Sequence, residues 1–146
     1  MAKTFSIEDG NLGNKPITAS KSRVYQDIDC SFMTKASGDV YKKSDAAAVK
    51  QSVRNLLLTH KNEKPFQPYF GSQLSRLLFS LSTEVDEGDF ETAVKDAINN
   101  YEPRAKVINV NANFTPDYNA AEITVLFRIV NTLEDVSVTV TISRVR

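Results

Sequence analysis

Apolar residues recur along this chain with two periods, a helical one before residue 101 and a strictly alternating one after it. Val49, Val53, Leu56 and Leu57 fall on one stripe and predict a first helix from about Asp45 to Thr59, with Ser44 or Asp45 as N-cap. Leu74, Leu77, Leu78 and Leu81 recur at i, i+3, i+4 and i+7 and predict a short second helix. A third helix, capped by Asp89, has Phe90, Ala93, Val94, Ala97, Ile98 and Tyr101 as its core face. Pro103 has no N–H to give a helix and disfavours the α conformation at the residue before it, so this helix is expected to stop at about Tyr101.

Beyond that stop the period is two. Ile108, Val110, Ala112 and Phe114 form one apolar row, Ile123, Val125, Phe127 and Ile129 a second, and Val136, Val138, Val140 and Ile142 a third. Polar turns, Thr115–Asn119 and Asn131–Asp135, separate them. Connections this short make an antiparallel meander with one buried face. The fold class is therefore α+β, with N-terminal helices packed on one face of a C-terminal antiparallel β-meander. The last strand alternates almost to the C-terminus, so its edge is either open to strand addition by a partner or blunted by Arg144 and Arg146. Glu102-Pro103-Arg104, between the two periods, reads as a recognition corner or as a helix stop with two solvated charges.

Residues 1–23 are rich in Gly, Asn, Lys and Ser without sustained periodicity and read as an arm that is flexible or ordered by a partner, leaving residues 24–146 as the domain. Val24–Asp29 has the pattern of a short extended segment, and Cys30–Lys43 that of a loop carrying Ser37-Gly38-Asp39. The loop His60–Gly71 holds two prolines and three aromatics, which are expected to pin it to the core.

At 146 residues the chain suits one domain with a sizeable core. Eighteen basic and eighteen acidic residues cancel, so no field marks a nucleic-acid or anionic-membrane binder. The single cysteine, Cys30, excludes an internal disulfide and fits a reducing compartment. No apolar run approaches the roughly 18 residues of a membrane span, and the N-terminus lacks a signal-peptide pattern.

Catalytic chemistry finds little to use. With one histidine, His60, and one cysteine, Cys/His zinc sites are excluded, and a Cys30–His60 dyad would be an accident of having one of each. There is no phosphate-binding loop or dinucleotide fingerprint. The acidic turn Glu84–Asp89 lacks calcium-loop spacing and suits a helix N-terminus. A glycosidase needs two carboxylates; Glu102 could pair with Glu63, Glu84 or Glu122, but no spacing favours any pair, and the chain has no tryptophan.

An ordered series of motifs points further. It runs through Asp27-Ile28-Asp29, Ser31-Phe32, Gly38-Asp39-Val40, Ala48–Thr59, Glu63-Lys64-Pro65-Phe66, Pro68, Phe70-Gly71, Leu77-Leu78-Phe79, Ala97-Ile98 and Tyr101-Glu102-Pro103-Arg104. It closely resembles the lysozyme-like baseplate wedge family of contractile phage tails, also called the sheath-initiator family, over roughly residues 25–145. The baseplate component of type VI secretion systems is similar. The family usually has Gly-Glu before Pro-Phe where this chain reads Lys61-Asn62-Glu63-Lys64; Asn62 tolerates the left-handed conformation a glycine would supply.

The resemblance implies a structural subunit of the virion's tail baseplate, assembled in the host cytoplasm, with neither cofactor nor metal and no nucleic-acid or membrane partner. Its implied partners are other wedge proteins with their core helical bundle, the tail sheath protein and hub- or tube-proximal proteins. Glu102, Pro103 and Arg104 would dock on the core bundle. The edge strand carrying Val136, Val138, Val140 and Ile142 would meet the first sheath ring and template its assembly. The family's lysozyme-like label suggests muramidase activity, yet the sequence supplies no acid/nucleophile pair. The alternatives are a peptidoglycan-cleaving enzyme with Glu102 as general acid and a type VI secretion baseplate component.

Overall fold

The computed structural model describes residues 25–80, 86–115 and 120–143. The arm, Leu81, Glu84, most of the turn after residue 115, Arg144 and Arg146 lie outside the described residues. In chain order the elements are β1 (Gln26–Ile28), β2 (Lys42–Ser44), α1 (Ala46–Leu58), α2 (Leu74–Phe79), α3 (Glu87–Tyr101), β3 (Ala105–Thr115), β4 (Ala120–Ile129) and β5 (Asp135–Ser143). The architecture is α+β: α1 and α3 pack on one face of an antiparallel β3-β4-β5 meander, and β1-β2 form a separate antiparallel pair.

α1 buries its expected stripe, whereas on the other helices Leu77 and Ala93 are half-buried and Tyr101, expected on the core face, is exposed because α3 reaches the corner there. Val49, Val53, Leu56 and Leu57 of α1, Leu74 and Leu78 of α2, and Phe90, Val94, Ala97 and Ile98 of α3 are buried in one core with the β4 row Ala121, Ile123, Val125, Phe127 and Ile129. On β5, Val138 and Val140 are buried, with Val136 and Ile142 half-buried against the same core. All four apolar β5 side chains therefore face this chain's own helices.

The structure corrects four local expectations. Lys42 and Lys43, expected in a loop, and Ser44, a candidate cap, form a strand that pairs Gln26 with Ser44 and Ile28 with Lys42. Asp45 is the N-cap of α1, but at φ 48 its side chain makes no cap bond; its Oδ1 accepts from the Tyr25 N–H at 3.3 Å. α3 starts three residues early: Asp86 is the cap, and Asp89 closes a capping box by accepting from the Asp86 N–H at 3.1 Å. On β3, Val107 lies opposite Phe127 but Asn109 lies opposite Leu126, so Ile108 is the extra residue of a β-bulge. The core face of β3 is Ala105 and Val107 before the bulge and Val110 and Ala112 after it, and Ile108 is 46% exposed.

Loop 60–73 returns to the end of α1. Ser72 donates its N–H to the Thr59 carbonyl at 2.9 Å and its hydroxyl to the Leu57 carbonyl at 2.7 Å. Gly71, at φ +113, sits where a Cβ would lie 2.6 Å from the Thr59 carbonyl oxygen, so only glycine closes this turn. Asn62 holds φ 69, as its side chain permits. Of the three aromatics, Phe70 packs on the core and meets Tyr101 edge-on at 5.2 Å, whereas Phe66 and Tyr69 are exposed.

The bulge makes a quantitative prediction. Phe127→Ala should lower unfolding free energy by roughly 3–5 kcal/mol in denaturant melts. Ile108→Ala should change it by about 0.5 kcal/mol or less, as at an ordinary surface position. A core-sized loss at Ile108 would contradict the bulged register.

Candidate functional site: the Glu102-Pro103-Arg104 corner and the β5 edge

α3 ends where expected. The Glu102 N–H makes the last helical bond, to Ile98 at 2.8 Å, and Pro103 turns the chain into β3. The Glu102 carbonyl accepts from the Ala105 N–H at 3.1 Å, and the Arg104 carbonyl accepts from the Val130 N–H at 3.0 Å. The corner is thus stitched into the start of the sheet.

Glu102 points inward and is 4% exposed. Arg104 grips it with two parallel bonds, Nε to Oε1 at 2.6 Å and Nη2 to Oε2 at 2.7 Å. Ser52 Oγ, on α1, donates to the same Oε2. The Arg104 guanidinium also lies 5.3 Å from the centroid of the Tyr25 ring, a cation–π contact. Pro103 is exposed, and Arg104 keeps 30% of its side chain accessible. Its Nη1 makes no hydrogen bond among the described residues.

Burial alone would raise the Glu102 carboxyl. The Arg104 bonds, the Ser52 hydroxyl and the neighbouring positive charge outweigh it and hold the group below the ordinary carboxylate range. Arg104 is pushed up chiefly by its bonds to Glu102. A general acid must keep its proton near neutral pH, which is the opposite shift.

Of the other candidate carboxylates, Glu84 lies outside the described residues, and Glu63 and Glu122 do not join Glu102. Glu63 Oε2 accepts from the His60 N–H at 2.8 Å, and Glu122 lies on the solvent face of β4, opposite Thr141, away from the helix side where Glu102 meets Ser52. Cys30 Sγ accepts from Gln51 Nε2 at 3.0 Å and faces Asn55, with His60 not among its partners. A groove of about 430 Å³ between loop 60–73 and α3 is lined by Asp89, Asp96, Tyr69 and Tyr101 but not by Glu102. Among the described residues no cluster of His, Cys, Asp or Glu could hold a metal, and no helix is long and apolar enough to cross a membrane.

The β5 edge has a definite chemistry. The Ile129 N–H bonds the Glu134 carbonyl at 3.0 Å, which sets the phase of the β4-β5 ladder. Because bonded and non-bonded pairs alternate in an antiparallel ladder, Val136, Val138, Val140 and Ile142 turn their peptide groups toward β4. Ser137, Thr139 and Thr141 turn theirs outward, and among the described residues no strand pairs with them. Sequence reasoning missed Ser52 and Gln51. Gln51 is 8% exposed and ties α1 to the β1 segment by donating to the Ile28 carbonyl at 2.8 Å.

Residues 43–136 match the family model described as Baseplate wedge protein gp25. The chain belongs to that family. Within it, the Baseplate wedge protein gp25 of Enterobacteria phage T4 is 28% identical over 118 residues, 81% of this chain and 89% of the relative. Three solved structures share the fold of this gp25-family chain. A putative tail lysozyme from Geobacter sulfurreducens has a TM-score of 0.59 at 23% identity, covering 67% of this chain and 89% of its own. The anti-feeding prophage baseplate gives 0.57 at 16% identity, with 81% and 84% covered. The postcontracted baseplate of pyocin R2 gives 0.51 at 19%, with 82% and 99% covered.

The lowered Glu102 pKa sets a sign for pH dependence. Its folded value lies below the unfolded one, near 4.5, so the ion's stabilisation is fully present above that pH. It is lost as pH falls through the depressed folded value. Glu102→Gln should cost on the order of 2 kcal/mol at pH 7, less than a fully buried pair because Arg104 is partly solvated. The gap between wild type and variant should close in acid melts below about pH 4.5; the lowered Asp29 and Asp135 are common to both proteins and cancel.

Proposed function

We propose that the chain is a structural subunit of a contractile-tail baseplate wedge that joins the wedge to the first sheath ring and templates sheath assembly. The observation that carries this is membership of the baseplate wedge family by a domain whose β5 edge, among the described residues, is paired by no strand. The corner supplies the wedge side. Glu102 holds Arg104 in one orientation, so the Arg104 Nη1, which makes no hydrogen bond among the described residues, is a preset donor beside exposed Pro103 for carbonyls on the core helical bundle. The outward peptide groups of Ser137, Thr139 and Thr141 supply the sheath side, where a sheath strand can extend the β3-β4-β5 sheet. Val136, Val138, Val140 and Ile142 serve this indirectly, by seating β5 on the core. No bulge, proline or lysine interrupts this edge between Val136 and Ser143, although such features are the usual protection against strand addition.

The subunit is read as non-enzymatic. The name of the Geobacter neighbour raises a lysozyme activity, but Glu102 is held ionised beside Arg104, and among the described residues Glu63 and Glu122 do not join it. Purified full-length chain should not clear peptidoglycan; clearing that is abolished by Glu102→Gln would overturn this reading.

Particles test the assembly role. Mass spectrometry of purified contractile particles should find the chain in stoichiometric amounts with the baseplate, before and after the sheath is stripped. Thr141→Pro removes one outward donor and spares the β4 ladder, so it should permit baseplates while blocking sheath initiation. Normal sheath on Thr141→Pro baseplates would exclude strand addition at this edge.

A further inference from the structure

Loop 60–73 is tightly built. Asn62 donates to the Pro68 carbonyl at 2.8 Å, Gln67 to Lys64 at 3.2 Å and Phe70 to Gln67 at 3.1 Å, all through backbone N–H groups. Tyr101 Oη donates to the Tyr69 carbonyl at 2.6 Å, and Phe70 roots the loop on the core. At the tip, Phe66 has φ 64 and is 103% exposed. Both properties are unfavourable in the isolated chain. Left-handed backbone strains a bulky side chain, and a solvated benzyl group forfeits its hydrophobic gain. Asparagine or glycine would satisfy the turn without either cost, as Asn62 does four residues earlier. The side chain therefore has no role that folding explains. The loop's charges beside it are two exposed lysines, Lys61 and Lys64, the latter with Nζ 4.2 Å from the Phe70 ring centroid, and one exposed carboxylate, Glu63, which is bonded back to the His60 N–H.

We propose that Phe66 is an anchor side chain that enters an apolar pocket rimmed by carboxylates on a neighbouring baseplate protein. The proposal rests on the reading of the chain as a baseplate subunit. A rigid loop presenting one aromatic loses little conformational freedom on docking, and buried aromatics flanked by complementary charge dominate such contacts. Lys61 and Lys64 choose the acidic rim; Phe66 supplies the affinity.

Phe66→Asn separates folding from docking. The full-length variant should melt at the wild-type temperature or above, because the strain is relieved. Its incorporation into baseplates, in competition with wild type, should fall about thirty-fold. Wild-type incorporation, or a lowered melting temperature with incorporation retained, would overturn the anchor. Lys61→Glu with Lys64→Glu should also lower incorporation at least tenfold; no effect would exclude the acidic rim. Phe66→Cys in a Cys30→Ser chain provides an independent reading with maleimide as probe. Labelling should be fast in the free chain and at least tenfold slower in purified baseplates. Equal rates would overturn the anchor and leave the baseplate reading standing, whereas a chain absent from baseplates would overturn both.

Discussion

The arrangement of helices, corner and sheet depends on one buried carboxylate. Taking Glu102 out of water costs several kcal/mol unless its oxygens are fully partnered. The partners come from three places: Ser52 on α1, Arg104 at the entry to β3, and, behind Arg104, the Tyr25 ring leading into β1. Each bond fixes one element relative to the end of α3. The Arg104 carbonyl then accepts from Val130, so the residue that neutralises the ion also starts the β3-β4 register. Apolar packing decides that α1 and α3 lie on the sheet. The ion decides where along it they stop.

That packing leaves β5 with two independent duties. Side chains alternate across a strand, and so do the directions of its peptide groups, in step with them. Val138 and Val140 are spent on the core together with their own ladder bonds, while Ser137, Thr139 and Thr141 keep their donors and acceptors outward. Strand pairing at this edge would therefore not require any core side chain to move. Arg128 and Asp135, joined by bonds of 2.6 and 2.8 Å at the far end of the same ladder, hold the register from the turn.

The parts of this fold legible in the sequence were those written as long apolar periods. The α1 stripe, the β4 row and the stop at Tyr101 follow from spacing and from the chemistry of proline. What was hidden depends on contacts far apart in sequence or on single-residue irregularities. Lys42-Lys43-Ser44 has no apolar alternation and is a strand only because Gln26–Ile28 lies beside it. The bulge breaks the count of two, and its one trace was the adjacent pair Val107-Ile108. Asp86 and Asp89 were both plausible caps; reciprocal bonding makes them one device. Two charges two residues apart say nothing of their direction, and the hydroxyl that draws Glu102 inward lies on Ser52, fifty residues away.

Polar and apolar groups have exchanged their usual places at several points. Glu102, Gln51 and Ser72 are buried with partners, while Phe32, Phe66 and Leu133 stand 71%, 103% and 72% exposed. Each of those three apolar residues also occupies a positive φ, at 51, 64 and 57 respectively. A chain whose last burial step were its own folding would gain from glycine or asparagine at such turns. A subunit that completes its burial against neighbours has a different optimum. Its internal order must come from hydrogen bonds and ion pairs already satisfied before assembly, so that apolar tips can remain in water without collapsing the loops that carry them. The Tyr101–Tyr69 bond and the Glu102 clamp supply that order here, from consecutive residues at the end of α3.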